Sequence, residues 1–340
     1  MFRRLLSPLR LAFAGLTLLV VAFVILVTQM SDKYLETPDV AHPLANLVKV
    51  PGGKQQHDGG GIYYVDVFLK RASLLESLIP AARPEGSDLV PRSSVVEPGI
   101  SEEQRLKLEV ADMRASQVIA SAVALRELGY QVPVKPGGLR IAAITPESHA
   151  ASVLRTGDVI VSANGKPVHT RADLRAILVG RRPGDVVQVG IRRGARTFTI
   201  SVRTTSDPSE PKRPLIGVLP TQALSVRFPF PIRFDLGGVG GPSAGLAFAL
   251  ELLEKRGRDV DHGYKVAATG VMELDGRVTR IGGIKQKTIG ARRAHVDVFL
   301  VPVDGDNARD AKRYAHGLKI IPVENFQQAL HALATLPGKA

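Results

Sequence analysis

A run of mostly apolar residues without a single charge, Leu11–Met30, constrains this chain more than any other feature of its sequence. About 20 such residues are enough to cross the hydrocarbon core of a bilayer as a helix. Three arginines precede the run, within residues 1–10. Because positive charge stays on the cytoplasmic side, we expect a cytoplasmic N-terminus, a transmembrane signal anchor at residues 11–30 and an extracytoplasmic location for everything after it.

A cleaved signal peptide is the alternative interpretation of this run. The apolar core of such a peptide would be shorter, and a small-x-small cleavage site should follow, whereas Thr28–Ser31 is a poor site. No second run of this kind occurs in the sequence. We therefore expect a retained anchor and a single-pass protein of the cell membrane.

Composition narrows the chemistry of the rest of the chain. The 340 residues allow about two domains and include no cysteine, which excludes disulfides, zinc–thiolate sites, iron–sulfur clusters and a thiol nucleophile. The net charge of +13 would suit a nucleic-acid partner, but the charges are scattered, only 5% of residues are aromatic and no nucleic-acid motif occurs. We expect the basic surface to favour anionic lipid headgroups, and no nucleic acid as a partner.

The segment after the anchor is rich in residues that interrupt regular secondary structure. Three prolines and the run Gly59–Gly61 interrupt residues 31–60, so the sequence predicts a linker there. Ile62–Leu69 then alternates as a strand does, with one face formed by Tyr63, Val65, Val67 and Leu69.

A long helix is predicted next. Ser101 is a candidate N-cap, and Gln104 three residues later completes the pattern of a capping box. The helical pattern runs to Leu128, and Gly129 is a suitable stop. Its packed stripe is predicted to consist of Leu106, Val110, Met113 and Val118.

Residues 134–206 form a compact unit of short strands and two helices, with a strong hairpin-turn signal at Asn164–Gly165. The central sequence LRTGDVIVSANGKPV resembles a PDZ domain of the bacterial, protease-associated kind. The resemblance implies a protein or peptide partner that adds to a sheet edge as a strand, with its carboxylate held by backbone N–H groups. Gly137, Gly138 and Leu139 would be the matching carboxylate loop.

The most informative stretch is the glycine-rich segment Gly237–Gly245, which contains Pro242 and Ser243 and precedes a strongly helical run. A serine at a helix N-terminus lies among unpaired N–H groups and at the positive end of the helix dipole. The segment could supply both a nucleophile and oxyanion donors. The residues alone leave open a second interpretation, that this is only a turn before a helix.

A serine nucleophile needs a base, and no recognisable Ser/His/Asp arrangement occurs. Lys285 and Lys287 follow Gly282–Gly283 at the start of another helical pattern. A lysine can act as a base when it is neutral, which requires burial to lower its pKa from about 10.4 by about 3 units, at a cost of roughly 4 kcal/mol. The two side chains should point about 200° apart, so that one can face the serine and the other water.

The sequence GPSAG, the pair Thr269–Gly270 and the sequence GRVTRIGGIKQKTIGARRAHVDVFLVP together resemble the proteolytic domain of Lon proteases. The resemblance implies that Ser243 attacks the peptide bond, that Lys287 is its general base, and that Lys285 is solvated. It further implies that Thr269 hydrogen-bonds the catalytic lysine and that an oxyanion hole is formed by backbone N–H groups, those of Gly240, Gly241 and Ser243. No metal or cofactor is expected.

Two departures separate this chain from ATP-dependent Lon enzymes. Gly240 stands where those enzymes have an acidic residue, and no P-loop spacing occurs in the sequence. The layout instead resembles the bacterial, membrane-anchored branch of the family that carries a PDZ domain. The resemblance implies an ATP-independent serine endopeptidase, and ring-forming relatives make a homo-oligomer an expectation; a membrane-tethered PDZ adaptor with an inactive Lon-type domain is the alternative.

The predicted fold class is therefore α+β: a transmembrane helix, a PDZ domain built as a β-sandwich with two helices, and a Lon-type α/β proteolytic domain at residues 207–340. The strand at 62–69 resembles an early strand of the proteolytic fold. We therefore expect residues 61–133 to pack with the catalytic domain, and the PDZ unit to be inserted into it.

Overall fold

The computed structural model describes residues 8–54, 59–96, 101–169, 171–207 and 210–338. Over these ranges the helices are α1 (Pro8–Thr28), α2 (Leu74–Leu78), α3 (Arg92–Val95), α4 (Glu102–Glu127), α5 (Ala150–Val153), α6 (Arg171–Leu178), α7 (Gly245–Lys255), α8 (Ile284–Arg293), α9 (Asn307–Tyr314) and α10 (Phe326–Ala334).

The strands up to residue 144 are β1 (Met30–Pro38), β2 (His42–Pro43), β3 (Val48–Lys49), β4 (Gly61–Tyr64), β5 (Val67–Ser73), β6 (Asp88–Pro91) and β7 (Val134–Ile144). The strands up to residue 226 are β8 (Val159–Ala163), β9 (Lys166–Pro167), β10 (Val186–Arg193), β11 (Arg196–Arg203), β12 (Thr205–Ser206), β13 (Pro214–Leu215) and β14 (Val218–Val226). The remaining strands are β15 (Arg233–Phe234), β16 (Lys265–Ala268), β17 (Val271–Met272), β18 (Val278–Thr279), β19 (Val298–Pro302) and β20 (Lys319–Val323).

Helix α1 covers the apolar run. Its segment Leu9–Thr28 has a mean hydropathy of 2.8, none of it is buried in the protein, and among the described residues it alone is long and apolar enough to span a membrane. A membrane anchor and a signal sequence share these properties, so the helix is a candidate for either.

The prediction of a linker at residues 31–60 is wrong as far as residue 49, because β1, β2 and β3 lie there and Leu44 and Val48 are buried in the core. Strand β1 begins two residues after α1 ends and is the middle strand of a three-stranded sheet, in the order β5-β1-β6. Tyr34 and Leu35 are fully buried there, which anchors the strand to the protein. Of the prolines that suggested a tether, Pro38 ends β1 and Pro43 ends β2, where a missing N–H costs little ladder hydrogen bonding, and Pro51 lies in the turn after β3.

The single strand predicted at Ile62–Leu69 is two strands in different sheets. Strand β4 lies in the parallel part of the sheet β2-β4-β16-β19-β20, whereas β5 pairs antiparallel with β1. The physical reason is the burial of Ile62, Tyr64 and Val65 together, as in a central parallel strand that is covered on both faces. The chain then turns at Asp66 into the second sheet.

Helix α4 has the predicted beginning and end. Ser101 and Gln104 form both hydrogen bonds of the capping box, and Gly129 adopts a left-handed conformation with φ +84°. The predicted stripe is only partly correct, because Leu106 is 49% exposed although Met113 is buried. Burial is instead concentrated at Ala120–Leu125, near the end of the helix.

The PDZ-like unit is an antiparallel sheet in the order β11-β10-β8-β7-β14, with β9 beside β8 and a core that includes Leu139, Ile160 and Val189. Its sheet extends beyond the predicted limit at residue 206, because β14 pairs with the whole length of β7. The short hairpin of β12 and β13 turns the chain back, and β14 then adds to the free edge of β7.

The last part of the chain packs helices on the sheet β2-β4-β16-β19-β20. Leu246–Leu253 of α7 is completely buried in a core shared with Ile62 of β4, Leu125 of α4 and Val266 of β16. Residues before and after the PDZ-like unit therefore share one hydrophobic core, and the unit is connected between them.

Candidate active site

Ser243 lies in the turn that leads into α7, and α4 holds this turn in place. The hydroxyl of Ser116 donates to the carbonyl of Pro242 at 3.0 Å, and the N–H of Gly241 donates to the carbonyl of Glu109 at 2.9 Å. Gly241 needs its left-handed conformation, with φ +86°, to make this turn.

One predicted oxyanion donor is therefore already used. The N–H of Gly241 faces α4 in this conformation, so it cannot also point at a substrate carbonyl. This hydrogen bond holds the turn before Ser243 at a fixed position along α4. Gly240 and Ser243 keep their place in the predicted oxyanion hole as hypotheses.

The structure brings Ser243 and Lys287 together from elements that are 44 positions apart in sequence. The Nζ atom of Lys287 lies 2.6 Å from the Oγ atom of Ser243, within hydrogen-bond distance. Lys287 belongs to α8, which begins after Gly283, whose φ of +66° only glycine adopts readily.

Lys287 is 3% exposed. Burial disfavours its charged form and lowers the pKa of its amine from 10.5 to about 8, although the negative charges of Asp66 and Glu36 oppose this effect. With a pKa near 8, about one amine in ten is neutral at pH 7, compared with about one in 2,500 for an ordinary lysine. The site thus holds a usable base beside a hydroxyl.

The neighbouring Lys285 binds a carboxylate and is only partly solvated, with 24% of its side chain exposed. Its Nζ atom lies 2.6 Å from the Oδ1 atom of Asp88, and the amide of Gln286 donates to Oδ2 of the same carboxylate at 2.8 Å. Asp88 is in β6, so the sheet β5-β1-β6 binds the beginning of α8.

Thr269 is fully buried next to the serine, but its contact differs from the one the resemblance implies. Its hydroxyl donates to the carbonyl oxygen of Ser243 at 3.1 Å, and the N–H of Gly270 donates to the same oxygen at 2.8 Å. Both bonds orient the backbone of Ser243. The hydroxyl hydrogen is thereby used on Ser243, not on the lysine.

Sequence reasoning missed the two carboxyl groups that act on Lys287. Burial raises the pKa of the Glu36 carboxyl, and the Lys287 amine opposes this. Burial likewise raises the pKa of the Asp66 carboxyl. Glu36 was hidden in the segment interpreted as a linker, and only the tertiary fold of β1 against α8 reveals it.

Two groups of side chains have ligand atoms close enough together to surround a cation: Asp39, His42 and Asp66, and Glu254, Asp259 and Asp261. Hydrogen bonds account for several of these atoms, whereas Oδ1 of Asp66 is buried without a hydrogen-bond partner. Nε2 of His42 lies 3.2 Å from Asp39, and the Glu254 carboxylate accepts the N–H groups of Val260 and Asp261. We assign no metal to either group.

The predicted carboxylate loop of the PDZ-like unit is in the wrong place. Gly137, Gly138 and Leu139 lie inside β7, which has β14 on one edge and β8 on the other. Gly138 is a packing residue there, since an added Cβ would lie 2.2 Å from the carbonyl oxygen of Ile160. A strand that is paired on both edges cannot accept a peptide by strand addition.

The sheet edge next to a cavity is β14. A cavity of about 630 Å³ lies between β14 and α6, and Ile216, Gly217 and Val218 line it opposite Leu174 and Leu178. Gly217 precedes the strand with φ +80°. The edge and the cavity lie at residues that the sequence interpretation had assigned to a linker and to the next domain.

Comparison with known proteins agrees with this architecture. Residues 237–335 match the Lon protease (S16) C-terminal proteolytic domain, and residues 126–204 match the PDZ domain. The chain therefore contains a Lon-type proteolytic domain, which supports a peptidase, and a PDZ domain.

Among curated relatives, the Lon protease of Rhizobium meliloti is 36% identical over 102 residues, which are 28% of this chain and 12% of that protein. The Lon protease of Buchnera aphidicola is 34% identical over 92 residues, which are 26% of this chain and 12% of that protein. The chain thus spans about an eighth of the length of these relatives. Among solved structures, the PDZ domain of the SdrC-like protein from Listeria monocytogenes is 21% identical, with a TM-score of 0.24, over 26% of this chain and 93% of that one.

Proposed function

We propose that the protein is an ATP-independent serine endopeptidase in which Ser243 is the nucleophile and Lys287 the general base. The observation that carries the proposal is the distance of 2.6 Å between a buried amine and a half-buried hydroxyl. That pair lies in a domain that matches the proteolytic domain of Lon proteases. The apolar helix α1 and the arginines before it support a single-pass membrane protein with an extracytoplasmic catalytic part.

In the proposed reaction, the neutral amine of Lys287 takes the proton of Ser243 while Oγ attacks the carbonyl carbon of the substrate. The C–N bond then breaks, the ammonium returns a proton to the leaving amine, and an acyl-enzyme ester remains. A water molecule, deprotonated by the same amine, attacks the ester and releases the new carboxylic acid and the serine. Lys287 moves every proton in this scheme, so no metal or cofactor has a role in it.

The PDZ domain recruits protein substrates in this proposal. An extended peptide would add to the edge of β14 and place side chains into the cavity against α6. Because the chain has no P-loop spacing, we expect cleavage of exposed loops or unfolded segments and no ATP-driven unfolding of stable domains.

The test uses the full chain in detergent micelles and an unfolded protein such as casein, without ATP and with a chelator. Wild type should cleave, whereas Ser243→Ala and Lys287→Ala should each lose at least about a thousandfold of the rate. Lys285→Ala, on the same helix, is the matched control and should remain active. Cleavage that survives both dyad substitutions would refute the mechanism, and an inactive wild type that still binds peptides would favour the adaptor interpretation.

A further inference from the structure

A group of exposed apolar residues follows the short helix α2. Leu78, the last residue of the helix, is 67% exposed, and Ile79 is 45% exposed. Pro80 and Ala81 continue this surface, so Leu78–Ala82 is a run of apolar residues without a charge. Single exposed apolar side chains are ordinary, but a contiguous group of them indicates a contact surface. We call this run the apolar patch.

The helix that carries the patch is attached to the end of α1. The carbonyl oxygen of Gln29 accepts the N–H of Leu74, the first residue of α2, at 2.9 Å, and α2 packs against α1. The apolar segment Leu9–Thr28 is roughly 30 Å long as a helix, which is the thickness of a hydrocarbon core. When α1 spans a bilayer, Gln29 therefore lies at the boundary between acyl chains and headgroups, and α2 lies beside it.

The backbone at the end of α2 is paired within the protein. Arg83, which follows the patch, donates from Nε to the carbonyl of Glu76 at 2.6 Å and from Nη2 to the carbonyl of Ser77 at 3.1 Å. The N–H of Ile79 donates to the carbonyl of Leu75 at 2.8 Å. At a helix end that faces water, solvent can satisfy these carbonyl groups, whereas at a lipid boundary the protein itself has to do so. The pairing thus favours a location that is poor in water.

The charged side chains of α2 are compatible with this location. The carboxylate of Glu76 lies 2.7 Å from Nζ of Lys70 and accepts the N–H of Ser73 at 2.9 Å, so its charge is compensated. Lys70 and Arg71 precede the helix, and Arg83 follows the patch. Basic residues on both sides of an apolar segment are typical of a segment that lies in the membrane interface.

We propose that Leu78–Ala82 is a second membrane contact, which inserts between the acyl chains and the headgroups of the leaflet in which α1 ends. The inference rests on the single-pass location in the proposed function and goes beyond it. One helix alone leaves the tilt of the folded domains free. A second contact beside it restricts that tilt and gives the active site one orientation towards the lipid surface.

The experiment uses the absence of tryptophan from the chain, because one introduced tryptophan then reports only its own surroundings. The full chain with Ile79→Trp is reconstituted into phosphatidylcholine vesicles, with or without lipids that are brominated at one depth in their acyl chains. We expect a blue-shifted emission that is lost with bromine near the headgroups. Leu18→Trp, in the middle of α1, should lose its emission mainly with bromine near the ends of the acyl chains.

Two further variants are needed. Val186→Trp is the matched control, because Val186 is 45% exposed, like Ile79, but lies on β10 of the PDZ domain. Its emission should stay unquenched by brominated lipid. Leu78→Trp is a second reporter in the patch and should behave like Ile79→Trp, and circular dichroism shows that each variant is folded.

The outcomes separate this inference from the proposed function. Quenching in Leu18→Trp, with both patch reporters unquenched like Val186→Trp, would overturn the second contact and leave α1 as a single anchor. A blue shift at position 79 that is insensitive to bromine and disappears when the protein is diluted in lipid would mean that a second copy covers the patch, and would refute the lipid contact. Unquenched emission in Leu18→Trp would refute the membrane location itself, and this inference with it.

Discussion

Lys287 is subject to two opposing influences. Burial disfavours its protonated form, whereas the carboxylates of Glu36 and Asp66 stabilise that form. The balance leaves its pKa at about 8, close to the pH at which a general base works best. The two carboxyl groups therefore act through Lys287: their negative charge raises the pKa of the amine and so determines which fraction of it is neutral.

Glu36→Gln tests this role. Wild-type kcat should rise with pH and reach half its plateau near pH 8, because the neutral amine is the active form. Removing one negative charge destabilises the protonated amine and so lowers the pKa of Lys287. The dependence of kcat on pH should therefore move to lower pH. Glu103→Gln, at an exposed position of α4, is the control for the loss of one charge. An unmoved profile in Glu36→Gln would show that the carboxylate is screened from the amine.

Lys287→Met tests the cost of burying the amine. Below pH 8 the lysine is protonated in both the unfolded and the folded state, but burial makes the charged amine less favourable in the folded state. The folded state is therefore destabilised by about 3 kcal/mol. This penalty fades as the pH rises from about 8 towards the ordinary value of 10.5. The inactive methionine variant should therefore melt at a higher temperature than wild type at pH 7, with a difference that shrinks by pH 10.

The matched control is Lys285→Met on the same helix. It breaks the ion pair with Asp88, so it should show no such gain at pH 7. A methionine at position 287 that lowers the melting temperature at pH 7 and leaves its pH dependence unchanged would mean that the amine is not destabilised by burial.

At the scale of elements, α4 is the support of the active site. It packs along α7, accepts the N–H of Gly241 and binds the carbonyl of Pro242. Gly245, at the start of α7, allows this close packing, since an added Cβ would lie 2.9 Å from Cβ of Met272 and 3.0 Å from Oγ of Ser116.

Gly245→Ala should therefore displace the turn that carries the nucleophile. We expect a loss of about 1 to 3 kcal/mol of stability, because Cβ and the backbone nitrogen of Met272 cannot move away without moving the main chain. We also expect a lower kcat for casein. The melting temperature and the steady-state rate measure the two effects. Gly238→Ala, where an added Cβ meets nothing within 4 Å, should keep the wild-type melting temperature. Equal melting temperatures for both variants would contradict the tight contact.

The elements also show what the sequence can and cannot predict. The capping box of α4 and the approach of Ser243 to Lys287 depend on local patterns and on a specific resemblance, and the sequence indicates both. Strands β1 and β14 are decided by pairing with β5, β6 and β7, which are distant in sequence. No local sequence pattern predicts such pairing, so the linker, the domain limit and the position of Gly137–Leu139 in the sheet were predicted wrongly, and Glu36 was missed.

At the scale of the whole molecule, the sheet β2-β4-β16-β19-β20 contains strands from the sequence before the PDZ domain and strands from the sequence after it. Strand β4 pairs with β16 along its whole length, and Ile62 is buried in the common core. A fragment of residues 207–340 lacks β4 and α4. It should be unfolded by circular dichroism and inactive on casein; a folded and fully active fragment would show that the earlier segment is dispensable.

The matched deletion removes the PDZ domain instead. Val134 and Val226 are cross-strand partners, so a short glycine-rich turn can replace residues 135–225. This variant keeps β4, α4 and the dyad. It should retain cleavage of casein and lose the binding of peptides at the edge of β14.

The short connection between α1 and β1 has a further consequence. Only Gln29 separates the two elements, and its carbonyl oxygen accepts the N–H of Leu74 at 2.9 Å. If α1 lies in a bilayer, no flexible linker separates the membrane from the folded domains, so these domains stay at a constant distance from the lipid surface. Substrates attached to the same surface would then meet the groove by a two-dimensional search, at a high local concentration, while bonds far from the surface would stay out of reach.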